Sequence, residues 1–251
     1  MGKLKDQRVW ITGASSGIGA ATALRLADEE ASIVISARRR DRLESLKAKI
    51  ELKGAHAKVL PLDIADKDAV FAAGKKLEDE GGVDILVNNA GIMPLAPLAK
   101  GRVDDWERTI DINIKGVLYA INAVLKGMIA KKKGHIVNLG SVASRVAIPN
   151  GAVYSGTKFA VAAISEALRK EVAAHGIRVT IVEPGAVATE LGYSIADEET
   201  RQMVMGPKGF YAPGLEILTS EDIAEAIAYC VTQPQRVNVC EFLVRPTIQE
   251  L

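Results

Sequence analysis

Short apolar runs rich in β-branched residues alternate with longer segments of mixed polarity along almost the whole chain. The runs predict seven strands, at residues 8–12, 32–36, 57–60, 85–88, 135–139, 178–182 and 241–244. Between them, apolar residues recur every three or four positions, which predicts helices that include residues 20–27, 43–52, 70–77 and 117–129. Strands that are apolar on both faces and alternate with helices are typical of a parallel sheet.

With right-handed crossovers, this order of elements predicts the α/β fold class, with a single doubly wound Rossmann domain over residues 1–251. We expect a parallel sheet of about seven strands with helices on both faces. The segment 191–219 breaks the alternation, since it is too long for a simple connection and too apolar for a solvated linker. Loops of this length in compact domains are usually functional, so we expect a lid over a site; a packed surface excursion is the alternative.

The composition restricts the possible partners. Lys and Arg number 32 and Asp and Glu 31, so the net charge of +1 argues against nucleic-acid binding through overall basicity. We find no signal peptide and no apolar run near the roughly 18 residues that a membrane span needs, so we expect no membrane partner. The two cysteines and three histidines have no metal-ligand spacing, so we expect no metal, reduced thiols and a cytoplasmic location.

A glycine-rich turn follows the first predicted strand and precedes a helix. Its glycines would let the backbone approach a pyrophosphate, and the helix N-terminus would offer unpaired N–H groups to the anion. A glycine triplet alone can be a simple turn, but the strand-turn-helix context favours a dinucleotide site. The candidate cofactor-binding residues of this turn are Gly13, Ser15, Ser16, Gly17, Ile18 and Gly19.

The second predicted strand is followed by Ala37 and three arginines. Sites that prefer NAD usually place an acidic residue here to accept the ribose hydroxyls, whereas a guanidinium can pair with the 2′-phosphate of NADP. A solvated basic helix start is the alternative, although cations are unfavourable at a helix N-terminus. We therefore expect Arg38 and Arg39 to select NADP(H). The stretch 38–44 carries a net charge of +2 within the nearly neutral chain.

Asp63 and Ile64 follow the third predicted strand, at the edge where such a cofactor would lie. The Asp63 carboxylate could accept a hydrogen bond from adenine while Ile64 packs on the ring. Asp63 could equally cap the helix that follows.

Tyr154 and Lys158 are four residues apart, so they share one face of a helix. An ammonium at about 4–5 Å from the phenol favours the phenolate by about 3–4 kcal/mol at an effective dielectric of ~20. This is an upper value, because desolvation opposes it. Tyr154 could then protonate a developing alkoxide or remove an alcohol proton. An ordinary surface pair is the alternative.

Together with the glycine turn, these residues make the sequence resemble the short-chain dehydrogenase/reductase family, from about residue 4 to the C-terminus. The motifs that carry the resemblance are Asn88-Asn89-Ala90-Gly91, Asn113, Ser141, Tyr154-Ser155-Gly156-Thr157-Lys158 and Glu183-Pro184-Gly185-Ala186-Val187-Ala188-Thr189. The resemblance implies that Ser141 binds the substrate oxygen, Tyr154 is the acid and base, and Lys158 holds the nicotinamide ribose. It also implies that Asn113 supports a water chain to Lys158.

Further cofactor contacts are implied by the same motifs. They are Asn89, Ala90, Gly91, Tyr154, Lys158, Pro184, Gly185, Val187 and Thr189. Each catalytic candidate has a plain alternative: Ser141 as a helix cap, Asn113 as a core hydrogen bonder, and Tyr154 with Lys158 as a surface pair.

The resemblance implies an NADP-dependent oxidoreductase that transfers hydride between NADPH and a small carbonyl compound or the corresponding alcohol. It is closest to clavulanate-type aldehyde reductases and to serine or 3-hydroxy acid dehydrogenases, and the family implies a homotetramer. Two other functions stay open. One is a carrier-linked 3-oxoacyl reductase, which needs a basic docking patch where segment 191–219 offers only Arg201 and Lys208. The other is a non-catalytic NADP-binding regulator, which would have no need of Tyr154 as a proton donor.

Overall fold

The structure is a computed structural model that describes residues 2–207, 209–212 and 214–249. Its seven strands form one parallel sheet in the order β3-β2-β1-β4-β5-β6-β7. The strands are β1 Arg8–Thr12, β2 Ser32–Ala37, β3 Ala57–Pro61, β4 Ile85–Asn88, β5 Gly134–Leu139, β6 Ile177–Pro184 and β7 Glu241–Val244. This confirms the predicted α/β class and all seven predicted strands, with ends that move by at most two residues at either end.

Within the described residues, eight α-helices connect or flank the strands. They are α1 Gly17–Ala27, α2 Arg40–Leu52, α3 Lys67–Asp79, α4 Val103–Ile110, α5 Gly116–Lys131, α6 Ala152–Val172, α7 Glu198–Met205 and α8 Ser220–Val231. The predicted segments lie inside these helices, but the helices extend further because capping residues are polar. In α3, the Asp66 carboxylate accepts hydrogen bonds from the N–H groups of Asp68 and Ala69 at 3.1 and 3.0 Å, which starts the helix three residues before its first core residue.

Helices cover both faces of the sheet, because successive apolar strand residues point alternately to one face and to the other. On β1, Val9 and Ile11 point to the face that α1, α2 and α8 cover, whereas Trp10 points to the opposite core with α3, α5 and α6. Successive strand residues alternate between faces, so both sets must be apolar in a sheet that is covered twice. The Trp10 indole N–H donates to Ser36 Oγ at 2.9 Å, which satisfies its polar atom in this core.

The strand order reverses between β1 and β4, because the chain runs outward from β1 to β3 and then returns to the other side of β1. At such a switch point the connections leave in opposite directions and open a crevice at the carboxyl ends of the strands. The sheet therefore places its binding crevice above β1 and β4.

The helical run Val103–Lys131 contains α4, a π-helical turn at Asp111–Lys115, and α5. It is long enough to cross a membrane, and its most apolar 18-residue window is apolar enough, with a mean hydropathy of 1.3. However, 44% of its most apolar window is buried inside the protein, where α5 packs on α3, β4 and β5. This run accordingly has the pattern of a core helix.

The segment 191–219 is folded back on the domain. It contains part of a short 3₁₀ helix, Glu190–Ser194, and α7, and it returns through a bridge between Val187 and Leu218. Ile195 and Val204 pack in a small hydrophobic cluster with Tyr154 and Met93. Lys100 also pairs with Asp197 at 2.7 Å. The described part of this segment thus packs against Tyr154, the predicted acid and base.

Substitutions at two helical glycines can test how tightly α3 packs against α5. A Cβ on Gly74 of α3 would lie 2.5 Å from Ala123 Cβ of α5 and 2.9 Å from its carbonyl oxygen. We therefore expect Gly74→Ala to lower the free energy of unfolding by about 1–3 kcal/mol in urea titrations. The control is Gly156→Ala in α6, where a Cβ meets no atom within 4 Å. We expect that variant to be more stable by about 0.4–1 kcal/mol, and equal effects at the two sites would contradict the close packing.

Candidate active site

One cavity of about 930 Å³ lies at the carboxyl ends of the strands. It gathers most of the residues that the sequence predicts for a cofactor and for catalysis. These are Gly13, Ser15, Ser16, Gly17, Ile18, Arg38, Arg39, Asp63, Ile64, Asn89, Ala90, Gly91, Ser141, Tyr154, Lys158, Pro184, Gly185, Val187 and Thr189. Gly19 and Asn113 are the two predicted residues that do not line it.

The glycine turn is held in shape by the strand beside it. Asn89 Nδ2 donates to the carbonyl oxygens of Thr12 and Gly13 at 3.0 and 3.1 Å. A Cβ on Gly19 would lie 2.5 Å from that Nδ2 atom, so this packing requires glycine at position 19, and its cofactor contact stays a prediction. Gly13 has a φ of +67°, and a Cβ there would lie 2.7 Å from Ala90 Cα.

The start of α1 faces the cavity with free hydrogen-bond donors. Ser16 is its N-cap residue in extended conformation, and no side chain caps the first turn. Because the first N–H groups of a helix have no partner inside it, they and the helix dipole favour an anion at this end. The glycine turn therefore has the geometry of a phosphate cradle, as its sequence predicts.

The predicted arginines are not equivalent. Arg38 is exposed and lines the cavity. Arg39 lies over the glycine turn, where Nη2 donates to Ser15 Oγ and to Ser16 Oγ, both at 2.9 Å. Its Nη1 donates to Glu190 Oε2 at 2.9 Å, and Arg42 Nη1 donates to Glu190 Oε1 at 2.6 Å. The sequence prediction missed Arg42 and Glu190.

Asp63 and Ile64 lie in the cavity wall next to β3. The Asp63 carboxylate accepts the N–H of Ala65 at 3.0 Å, and the cap of α3 is Asp66. The alternative that Asp63 caps this helix is therefore wrong. Ile64 is buried against Gly116, which has no side chain to displace it.

Ser141 follows β5 and caps a short 3₁₀ turn, Val142–Ser144. Its Oγ accepts the N–H of Ala143 at 3.1 Å and lies close enough to the Tyr154 phenol to lower the pKa of that group. Ser141 is therefore both a helix cap and a neighbour of Tyr154. The two interpretations are compatible, because the cap fixes the orientation of the hydroxyl in the cavity.

Tyr154 is buried on the first turn of α6. Burial raises the pKa of its phenol above the ordinary value, and the nearby Ser141 hydroxyl lowers it by less. The spacing of Tyr154 and Lys158 predicts that the ammonium lowers this pKa, and the structure does not bear this out. The physical reason is desolvation, which disfavours the phenolate in a site closed by apolar side chains.

Lys158 is buried one turn later, with Nζ 5.8 Å from the centroid of the Tyr154 ring. Nζ donates to the carbonyl oxygen of Leu139 at 2.7 Å, at the end of β5. Burial lowers the pKa of Lys158 to about 8, so its ammonium predominates at neutral pH but with a narrow margin. Tyr154 and Lys158 are therefore a buried pair, which excludes the surface-pair alternative.

Asn113 lies in the π-helical turn behind the cavity wall. Its Oδ1 accepts the N–H of Ile92 at 3.0 Å, while Nδ2 donates to the Ile92 carbonyl at 3.0 Å and to Thr157 Oγ1 at 3.2 Å. Asn113 thus ties the chain after β4 to α6, next to Lys158. These bonds match its alternative interpretation as a core hydrogen bonder, and its predicted water chain stays a prediction.

A second polar network that the sequence did not reveal supports the Ser141 turn. Glu183 at the end of β6 is only 1% exposed, and it accepts from Arg145 Nε at 2.7 Å. Arg145 ends the turn that Ser141 begins and also pairs with Glu241 on β7. Each pair joins residues that are at least 38 positions apart, so no local sequence pattern indicates it.

The part of the cavity beyond Tyr154 is mainly apolar. Its walls are Leu95, Ala143, Val146, Ile148, Asn150, Leu191, Tyr193, Met203, Val204, Phe210 and Tyr211. The cationic side chains in the described lining are Arg38, Arg39, Arg42 and Lys158, which belong to the cofactor and catalytic parts. Lys208 lies outside the described residues. In the described part of the chain, no three His, Cys, Asp or Glu side chains form a potential metal site.

Comparison with known proteins agrees with this geometry. Residues 7–200 match the family described as short chain dehydrogenase. An uncharacterised oxidoreductase of Staphylococcus saprophyticus is 44% identical over 254 residues, with 100% of both chains covered. The glycine betaine reductase ATRR of Emericella nidulans is 42% identical over 98% of this chain, which spans only 19% of that much longer protein.

Solved structures give the same result. The closed form of a serine dehydrogenase complexed with NADP⁺ has a TM-score of 0.88 and 33% sequence identity, with 98% of this chain and 97% of that chain covered. The predicted family resemblance and the single Rossmann-type domain are thereby confirmed. The chain belongs to the short chain dehydrogenase family of oxidoreductases.

Proposed function

We propose that this protein is an NADP(H)-dependent oxidoreductase that interconverts a small ketone or aldehyde and the corresponding alcohol. The observation that carries the proposal is the shared cavity, which holds Ser141 beside Tyr154, a buried Lys158 and a cationic glycine turn. A proton donor, a cation and an anion cradle in one cavity suit carbonyl reduction by a bound dinucleotide that supplies the hydride.

The described residues fit an NADP cofactor. The uncapped start of α1 would bind the pyrophosphate, and Arg38, which is exposed, would bind the 2′-phosphate. Pro184, Gly185, Val187 and Thr189 would line the nicotinamide side. The serine dehydrogenase that resembles this chain was solved with NADP⁺, which supports the same cofactor here.

When bound, NADPH supplies the hydride, and the chain's own residues handle the proton. The Ser141 hydroxyl would orient the substrate oxygen toward Tyr154, and Tyr154 would donate its proton to the alkoxide that develops there. Burial keeps the Tyr154 phenol protonated at neutral pH, which suits the reductive direction. Lys158 would hold the nicotinamide ribose and stabilise the phenolate that remains after transfer. Oxidation would use the same groups in reverse.

The substrate loop at residues 191–219 would close the cavity over a substrate with apolar substituents. We infer this from the cavity wall, which is formed here by Tyr193, Met203, Phe210 and Tyr211. Arg201 does not line the cavity, which argues against it as a docking residue for an acyl carrier. Arg201 is already paired with Glu198 in α7. The intact Ser141 and Tyr154 contact likewise favours catalysis over a purely regulatory role.

We propose a cytoplasmic homotetramer as the assembled form. Ile110 on α4, Leu118 on α5 and Phe159 on α6 are large apolar side chains that are 39%, 42% and 43% exposed in the single chain. Apolar side chains on neighbouring helices indicate a surface that another protein chain covers. These helices flank Asn113 and carry Tyr154, where the family resemblance places an interface.

The role of Tyr154 is tested by Tyr154→Phe. Because the variant keeps the ring and loses the only proton that the phenol can donate, we expect kcat for carbonyl reduction to fall by about 10²–10⁴-fold. NADP⁺ affinity, measured by fluorescence titration, should stay within about twofold. The control is Tyr211→Phe, a phenol in the same cavity that lacks the Ser141 contact, and it should keep most activity. Unchanged turnover in Tyr154→Phe would refute the mechanism.

The cofactor assignment is tested with Arg38→Ala. Loss of a charge-assisted contact to the 2′-phosphate should raise KM for NADPH by about 10–100-fold and leave that for NADH nearly unchanged. The control is Arg40→Ala, whose side chain pairs with Glu44 at 3.5 Å and does not line the cavity. A wild-type protein that turns over NADH faster than NADPH in initial-rate assays would overturn the assignment.

The burial of Lys158 should destabilise the fold. A pKa lowered from 10.5 to about 8 means that burying the ammonium lowers the free energy of unfolding by roughly 3 kcal/mol at neutral pH. The hydrogen bond to Leu139 offsets about 1 kcal/mol of this loss. We therefore expect Lys158→Met to abolish turnover and to raise the free energy of unfolding of the cofactor-free protein by about 2 kcal/mol at pH 7.

The gain in Lys158→Met should shrink as pH rises from about 8 to 10.5, because the wild-type lysine is then neutral in the folded state and its burial cost disappears. The control on the same helix is Lys170→Met, an exposed lysine that should change stability by less than about 0.5 kcal/mol. A Lys158→Met protein that is less stable than wild type at pH 7 in urea titrations would contradict this account.

A further inference from the structure

Glu190 occupies an unexpected position among the arginines of the cofactor end. Its carboxylate bridges Arg39 and Arg42, with one oxygen to each guanidinium at 2.9 and 2.6 Å. The Ser16 hydroxyl lies near the same carboxylate and helps to lower its pKa. Arg39 in turn donates to both serines of the glycine turn. An anion of the chain itself therefore sits where the sequence predicts that a phosphate binds.

The partners of Glu190 are those that a phosphate monoester uses. Two guanidinium groups and a hydroxyl would serve the 2′-phosphate of NADP as well as they serve a carboxylate. Arg39, Arg42 and Glu190 are all about 40% exposed at the cavity wall, so an incoming anion can reach them. A ligand phosphate and the Glu190 carboxylate would thus compete for the same donors.

Protonation does not release this carboxylate. Hydrogen bonds from Arg42 and then Arg39 lower the pKa of Glu190 to about 2, so it is ionised at any pH near neutrality. Only displacement by another anion, or movement of the chain, frees the arginines. Glu190 also begins the 3₁₀ helix from which the substrate loop starts. The preceding residue, Thr189, packs close to the glycine turn, since its Cγ2 would lie 3.3 Å from a Cβ on Gly17.

We propose that Glu190 determines cofactor selectivity, as an internal anion that holds Arg39 and Arg42 until the 2′-phosphate of NADP displaces it. This inference rests on the proposed function. The competition weakens the binding of ligands that carry a 2′-phosphate and leaves those without one nearly unaffected. Glu190 thereby reduces the preference for NADP over NAD that the arginines alone would give.

The test uses two ligands that differ only in the 2′-phosphate, 2′,5′-ADP and 5′-AMP, titrated by calorimetry into the cofactor-free protein. We expect Glu190→Gln to lower Kd for 2′,5′-ADP by about three- to tenfold, since half-exposed ion pairs are of modest strength. Kd for 5′-AMP should stay within about twofold. NADP⁺ and NAD⁺ should show the same contrast. When Glu190→Gln is made in a protein that already carries Arg42→Met, the fold decrease in Kd for 2′,5′-ADP should be at most half as large, because one of the two competing contacts is gone.

The matched control is Glu44→Gln, which changes the net charge equally on α2 but acts on Arg40. It should tighten 2′,5′-ADP by less than twofold. Equal gains in the two variants, equal gains for both ligands, or weaker binding of 2′,5′-ADP to Glu190→Gln would overturn the inference. If wild-type protein binds 2′,5′-ADP no more tightly than 5′-AMP, the NADP assignment itself fails. If it prefers 2′,5′-ADP and Glu190→Gln leaves that preference unchanged, the inference about Glu190 alone fails.

Discussion

A parallel sheet buried on both faces leaves few places for polar chemistry, and this constraint organises the whole molecule. The bodies of β1, β4 and β5 are buried among apolar side chains from helices on either side. Their carboxyl ends are the point where the chain leaves the core and turns to face water. The glycine turn, Asn89 and Ser141 all lie at these ends, so the fold collects them although they are far apart in sequence. The site is a consequence of the topology as much as of the individual residues.

Burial also sets the electrostatic balance between the two central residues. The closed cavity raises the pKa of Tyr154 and lowers that of Lys158, so both groups are driven toward their neutral forms. The nearby Ser141 hydroxyl opposes this for the phenol by lowering its pKa, and the Leu139 carbonyl accepts a hydrogen bond from the ammonium. A protonated tyrosine beside a weakly held cation is a suitable resting state for a proton donor. The same burial that protects the proton therefore weakens the fold around it.

Much of this arrangement is predictable from local sequence. Short apolar runs predict all seven strands, and short motifs place most of their predicted site residues in the cavity, because strand ends and helix starts have local signals. What escapes is long-range pairing. The contacts of Arg39 and Arg42 with Glu190, and of Arg145 with Glu183, depend on how distant segments meet. The direction of the pKa shift at Tyr154 escapes as well, because charge spacing is visible in a sequence and desolvation is not.

The π-helical turn at Asp111–Lys115 has a geometric effect on the helical run that contains it. A turn with one extra residue rotates everything after it by about 100° relative to an uninterrupted α-helix. Upstream, α4 packs on α6, and downstream, α5 packs on α3 and the sheet. One continuous rod can therefore present two differently oriented faces to two layers of the domain. A deletion of one residue in this turn would restore the regular winding and turn one of those faces away from its neighbour.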